Sequence, residues 1–282
     1  MGGSKFSATY DFDVLRQINC SNTEIQEDKS NYWAPPLYYK HRNNGTLSLV
    51  PSEAGIYYFH RGTNIQRFPA GFRMIAGTAS RGTVGSTSAD KATFFTCLNE
   101  EGTDSLTYEL PKRQCENGIM MRILFPSCGN GRDVTSGNFK GHVSYPVGTP
   151  EGSTCPSTHP VRLMTLKFEQ IFRIDRFEYY EGGFIVSTGD NIGYSAHADF
   201  QNGWDASENS LLQRAINTCT DTGNNIENCS VLNPLRNFDN RLCRRESQIP
   251  IEDVGCYDPS QEAARGQPNL GWECHEGDHW GF

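Results

Sequence analysis

Apolar residues along the chain come in short runs, some alternating with polar residues and some continuous, each bounded by turn-forming residues. The runs are IYYFH (56–60), GFRMIA (71–76), ATFFTC (92–97), MMRILF (120–125), VRLMTLKF (161–168), IFRIDRFEYY (171–180) and GFIVST (183–188). Their length and their aromatic and β-branched content predict strands, because such side chains pack well on a pleated surface. One segment has helical spacing instead. In ENSLLQRAINTC (208–219), Leu211, Leu212, Ala215 and Ile216 share a face after a Ser/Glu/Asn start. Several strands and one short helix predict a mainly all-β fold, an antiparallel β-sandwich of jelly-roll type.

No fixed-period repeat, low-complexity tract or long Pro/Ser linker divides the chain, so a single domain is the economical expectation. Residues 1–229 carry the β-sandwich. Beyond Cys229 the periodicity fades, and Cys243, Cys256 and Cys274 sit among turn residues. Residues 230–282 are therefore expected to form an irregular, disulfide-tied extension packed on the same domain. Cys219 and Cys229 flank the short polar loop DTGNNIEN and are the favoured pair, because closing a short loop requires little extra ordering.

Ten cysteines, spaced neither as a zinc ribbon nor as a thioredoxin-type pair, read as a disulfide framework and hence an oxidising, extracellular setting. Acceptor triplets for N-glycosylation at Asn19, Asn44 and Asn228 agree with a secreted glycoprotein. The opening MGGSKFSATY has no basic start and no apolar run, which we read as a trimmed start lacking its signal peptide. No window has the length of a membrane span. A net charge of −8 argues against a broad nucleic-acid surface, since phosphate binding needs clustered Lys and Arg. A monomer is expected.

The densest chemical signal is GYSAHADFQNGWD (193–205). In extended backbone His197 and Asp199 project to one face, setting an imidazole beside a carboxylate. Such a pair can ligate a metal, act as an oriented base or brace a loop. Asn202, Gly203 and Trp204 read as a turn carrying an aromatic. In KGHVSYPVG (140–148), Lys140, His142 and Tyr145 are the ingredients for proton abstraction next to a carboxylate: a base, an acid and a neutralising cation. CPSTHPVRL (155–163) adds His159 and Arg162, held extended by Pro156 and Pro160. We take His142, His159, His197 and Asp199 as catalytic candidates, and Lys140, Tyr145, Arg162, Asn202 and Trp204 as substrate-binding ones. The same catalytic four are the candidate ligands of a divalent metal, with no cofactor otherwise implied. Asp190 and Asp205 join Asp199 as carboxylates for a glycosidase pair. Trp33, Tyr38, Tyr39 and Trp204 are aromatics able to stack on sugars. The Gly-rich GTASRGTVGS (77–86) lacks the Lys-Ser/Thr of a phosphate loop, and no Gly-x-Ser-x-Gly motif is present.

Taken together, EDKSNYWAPPLYY (27–39), FPAGFRMIAG (68–77), FPSC (125–128), HVSYP (142–146), CPSTHPVRL and HADFQNGWD resemble a fungal secreted family, a domain of unknown function often joined to WSC carbohydrate-binding domains. The motifs agree in order and spacing from near Met1 to about Cys256. The resemblance implies export, association with cell-wall or other extracellular glycans, and a polar motif set of His142, His159, Arg162, His197, Asp199, Asn202 and Asp205. A cysteine that the family places three residues after Cys20 is Thr23 here, so that local disulfide is expected to be lost. Two functions follow as expectations. One is a carbohydrate-active enzyme, a polysaccharide lyase or hydrolase acting on fungal or plant cell-wall polysaccharide; the other is a non-catalytic glycan-binding module.

Overall fold

The computed structural model of the chain describes residues 11–43, 45–99, 102–103, 106–174, 177, 182–220, 225–235 and 243. The strands, in chain order, are β1 Asn31–Trp33, β2 Leu37–His41, β3 Leu47–Leu49, β4 Ser52–Phe59, β5 Arg73–Gly77, β6 Thr93–Asn99, β7 Gly102–Thr103 and β8 Gly118–Leu124. They continue with β9 Cys128–Gly129, β10 Val143–Ser144, β11 Val161–Arg162, β12 Thr165–Phe172, β13 Gly182–Val186 and β14 His197–Gln201. All pair antiparallel, in sheets ordered β4-β12-β8-β6-β7, β1-β14-β5, β13-β2-β3 and β10-β9-β11. The mainly β, antiparallel expectation is borne out, and the arrangement is compatible with a jelly roll. Of the two α-helices among the described residues, α1 Phe12–Arg16 and α2 Leu211–Thr218, only the second is legible in the sequence. Ser210 caps α2 by accepting from the Gln213 N–H, and Leu212, Ala215 and Ile216 are its buried face.

Alternation explains most strands. In β12, Leu166, Phe168 and Phe172 are buried on one face while Lys167, Glu169 and Ile171 lie on the other. The run 161–168, expected as one strand, is instead two. Gln66 intrudes between them: its N–H donates to the Arg162 carbonyl, and its carbonyl accepts from the Met164 N–H. The chain thus leaves β9 after Arg162 and joins the large sheet at Thr165. The run 171–180 continues β12 only to Phe172; Arg173 then donates its N–H to the Pro51 carbonyl.

Disulfides join Cys20–Cys243, Cys97–Cys115, Cys128–Cys155 and Cys219–Cys229. The last is the pair expected from loop length. Cys20, with Thr23 where a local partner would have stood, reaches Cys243 and so ties the C-terminal extension to the chain's start. Cys256, Cys274 and the rest of that extension lie outside the described residues, as does Asn44; Asn19 and Asn228 are exposed.

The aromatic core converges on Phe200, which meets Phe68 (4.9 Å), Tyr32 (5.2 Å), Phe125 (6.2 Å) and Phe72 (6.4 Å). The residues after Phe200 are locked from all sides. Asn31 Nδ2 donates to Gln201 Oε1, and Asn202 donates from its backbone N–H to the Phe72 carbonyl and from Nδ2 to that of Pro69. Gly203 donates to Ser30 Oγ, and its carbonyl accepts from Arg16 at 2.6 Å. Trp204 Nε1 donates to the Tyr58 hydroxyl, which bonds the Tyr32 hydroxyl, which donates to buried Asp28. Burial raises the Asp28 pKa, against the lowering effect of those bonds. A Cβ on Gly203 would stand 2.2 Å from the Lys29 carbonyl carbon, a backbone atom with nowhere to go. Gly203→Ala is therefore expected to cost about 3 kcal/mol or more, read as a lower urea midpoint at unchanged slope.

Candidate functional site

Strand β14 lies between β1 and β5, with His197 opposite Gly77 and Asp199 opposite Ile75. Ala198 and Phe200 point into the core, so His197 and Asp199 share the other, partly open face at 19% and 15% side-chain exposure. The imidazole Nε2 stands 3.9 Å from Asp199 Oδ2. Its Nδ1 is 2.9 Å from the Ser195 carbonyl, an oxygen that only accepts. Nδ1 therefore carries the hydrogen, and in the neutral ring Nε2 presents its lone pair on the side of the carboxyl.

Lys140 completes the group from across β5. Its ammonium donates to the Gly77 carbonyl and to Thr78 Oγ1, and its charge acts on Asp199. Two unusual backbone conformations flank it. Gly77 has φ 78°, and a Cβ there would lie 2.4 Å from the Ala196 carbonyl oxygen. Phe139, immediately before Lys140, also adopts a left-handed φ, of 55°, which is strained for so bulky a residue. That turn is held by Asn138 Oδ1, which accepts from the Lys140 and Gly141 N–H groups, and by the Ile75 N–H, which donates to the Phe139 carbonyl.

The electrostatics follow from burial. Desolvation raises the Asp199 carboxyl from 3.8 to about 6, against the lowering pull of His197 and Lys140. Desolvation likewise lowers the Lys140 pKa, opposed by Asp199 and assisted by the like charge of Arg81. Arg81 is the residue that sequence reasoning missed. It lies in the Gly-rich segment set aside for lacking a phosphate-loop lysine, and only the fold brings it within reach of Lys140's charge. It donates from Nε to the Tyr194 carbonyl and pairs with Asp90, while its Nη2 is buried with no hydrogen-bond partner among the described residues.

The other nominated residues are placed differently. His142 is 1% exposed, edge-on to Phe72 at 5.3 Å, with Nδ1 3.1 Å from Ser136 Oγ; burial lowers its pKa. His159 stands next to it, 3.3 Å from the Gly141 carbonyl. The two therefore form a separate pair near the Phe72 end of β5, and the four catalytic candidates divide into two groups. Among the described residues no cluster of three or more His, Cys, Asp or Glu is arranged to hold a metal ion, so the metal-ligand set expected from sequence does not assemble. Four of the substrate-binding candidates are engaged in hydrogen bonds within the fold. Arg162 spends its guanidinium on the Arg61 carbonyl, Ser127 and Thr165 Oγ1. Tyr145 donates to the Leu124 carbonyl, and burial raises its pKa. Asn202 and Trp204 are 1% and 4% exposed, within the network after β14. Asp190 accepts from the Ile192 and Ser195 N–H groups, and Asp205 from Ser207, so neither is a free carboxylate facing Asp199. Tyr39 packs against Phe177 and Phe184 in the core.

A model of a domain of unknown function, DUF1996, matches residues 1–204. The chain belongs to that family. The match contains Arg81, Lys140, His197 and Asp199 and ends on Trp204, short of the Cys256 limit suggested by the motifs. No curated protein and no solved structure matches the chain.

A carboxyl raised to about 6 costs stability as pH climbs. The folded state holds the Asp199 proton more tightly than the unfolded chain, so stability declines between pH 3.8 and about 6 and stays lowered above that. The deficit at pH 7 is at most about 3 kcal/mol. Asn has no proton to lose, so Asp199→Asn is expected to melt several degrees above the parent at pH 7.5 and level with it near pH 4. Equal melting at both pH values would remove the desolvated carboxylate from the account.

Proposed function

We propose that this family member is a secreted, monomeric, carbohydrate-active enzyme, a lyase acting on uronate-bearing wall polysaccharide through His197, Asp199, Lys140 and Arg81. One observation carries the reading: a desolvated carboxyl near pH 6 beside a free imidazole nitrogen, flanked by cations. Elimination next to a uronate carboxylate removes the C5 proton, breaks the C4–oxygen bond of the glycoside and leaves a double bond between C4 and C5. His197 Nε2 takes the proton. Asp199, protonated below about pH 6, returns one to the departing glycosidic oxygen. Lys140 neutralises the uronate, with the Asp90-paired charge of Arg81 behind it, which acidifies its C5 hydrogen. A hydrolase is less well supported, because Asp190 and Asp205 are occupied as turn acceptors and give Asp199 no facing carboxylate. Four disulfides among the described residues, and no helix there long and apolar enough to cross a membrane, are compatible with an extracellular protein.

The full chain, incubated with a panel of polyuronates and neutral glucans, is expected to generate the ultraviolet absorbance of unsaturated ends on polyuronates alone. His197→Ala should lower kcat by about 100-fold or more. Because Asp199 acts in its protonated form, kcat/KM should fall as pH rises through about 6, and Asp199→Asn should lose that limb together with most of the rate. No unsaturated product from any polyuronate would overturn the lyase reading.

A further inference from the structure

The outward face of the large sheet carries a second constellation, apart from the β14–β5 site. Tyr57 and Phe59 alternate onto it from β4, their rings 6.4 Å apart and within 17° of parallel; Tyr57 is 43% exposed. Across the strands, Tyr57 pairs with Lys167, and Glu169 pairs with Arg122. The Lys167 ammonium sits 4.5 Å from the Tyr57 centroid and 5.2 Å from that of Phe59. Arg61 lies over Phe59 at 5.1 Å, and Arg122 over Phe94 at 6.0 Å. Glu169 joins Lys167 and Arg122, each at 3.0 Å. Cation–π contacts and a shared carboxylate therefore fix the charges among the rings, so a ligand finds them already ordered. Three cations stand there against one carboxylate, on a chain whose net charge is −8.

We propose that this aromatic and cationic strip is a binding surface for an anionic polysaccharide chain, separate from the candidate catalytic group. The apolar C–H face of a sugar ring packs on Tyr57 and Phe59 as other flat apolar groups do. Uronate carboxylates meet Lys167, Arg61 and Arg122 in charge-assisted hydrogen bonds, and hydroxyl groups bond Glu169. Single-stranded nucleic acid also pairs stacking with positive charge. It is the poorer fit, because every sugar ring of a polyuronate brings free hydroxyl groups to Glu169, whereas an in-chain deoxyribose has none.

The surface is independent of the lyase reading, and one experiment separates them. Binding of the full chain to soluble polygalacturonate, a neutral β-glucan and a single-stranded oligonucleotide is followed by calorimetry at low and high salt. Polygalacturonate should bind best and weaken with salt. Tyr57→Ala should bind it about tenfold more weakly, and Lys167→Gln should reduce both affinity and salt dependence, with melting temperatures near the parent's. Asp199→Asn, which removes most of the turnover, should still bind like the parent; binding by the parent without any turnover would sink the lyase alone. Undiminished binding by both surface variants, tighter binding of the glucan or the oligonucleotide, or a dimer that Tyr57→Ala dissociates while polygalacturonate does not bind would each overturn the surface.

Discussion

The molecule depends on the buried hydrogen bonds that seize the chain just after β14. Between Phe200 and Trp204, backbone and side chains bind β1, the turn before β5, the start of the chain and the end of β4. Each of these partners comes from a distant part of the sequence, and the relay from Trp204 through Tyr58 and Tyr32 ends on a carboxylate with no access to water. In a low-dielectric interior such a network is favourable only when its members are paired together, which gives it an all-or-none character. Gly203 is the geometric condition, since only a residue without a side chain lets the Lys29–Ser30 backbone come so close.

That lock sets the register of β14. A slip of one residue would send His197 and Asp199 into the core and bring Ala198 and Phe200 out. The polar face of the strand is thus held open by what its apolar face and its C-terminal end bury. The same burial supplies the chemistry. Asp199 is partly withdrawn from water without enough opposite charge to compensate, which lifts its pKa, and the strained turn at Phe139 directs Lys140 toward it across β5. Desolvated charge and local strain both oppose folding, and the aromatic core and the disulfides compensate for them elsewhere in the structure.

An acidic protein with its cations gathered in a few places has a field quite different from what its net charge suggests. Lys140 and Arg81 sit at the edge of one sheet, while Arg61, Arg122 and Lys167 sit on the face of another. In both places the charges are tied down, by carbonyls and a carboxylate in the first and by aromatic rings and Glu169 in the second. Fixed charges of this kind lose little freedom when an anionic ligand arrives.

The sequence by itself determined the strands β4, β5, β6, β8, β12 and β13, the capped helix after Ser210, the Cys219–Cys229 loop and the side-by-side projection of His197 and Asp199. Each rests on relations between residues close together in the chain: alternation, capping and short loop closure. It also marked the motif after β14 as special, though not why. Asn202 and Trp204 look like ligand-binding groups in sequence because they are polar or aromatic in a turn, yet burial with internal partners makes them braces, and the same holds for Arg162 and Tyr145. The strands β1 and β2 escaped notice because two prolines interrupt their apolar pattern, and the run from Val161 divides where Gln66 enters. Whether four candidates form one cluster or two, how Lys140 comes to act on Asp199, and how Arg81 and the Tyr57–Phe59 strip acquire their neighbours were decided only by tertiary structure. The physical reason is that desolvation and Coulomb interaction depend on distance through space, and local spacing along the chain carries no information about a partner far away in sequence.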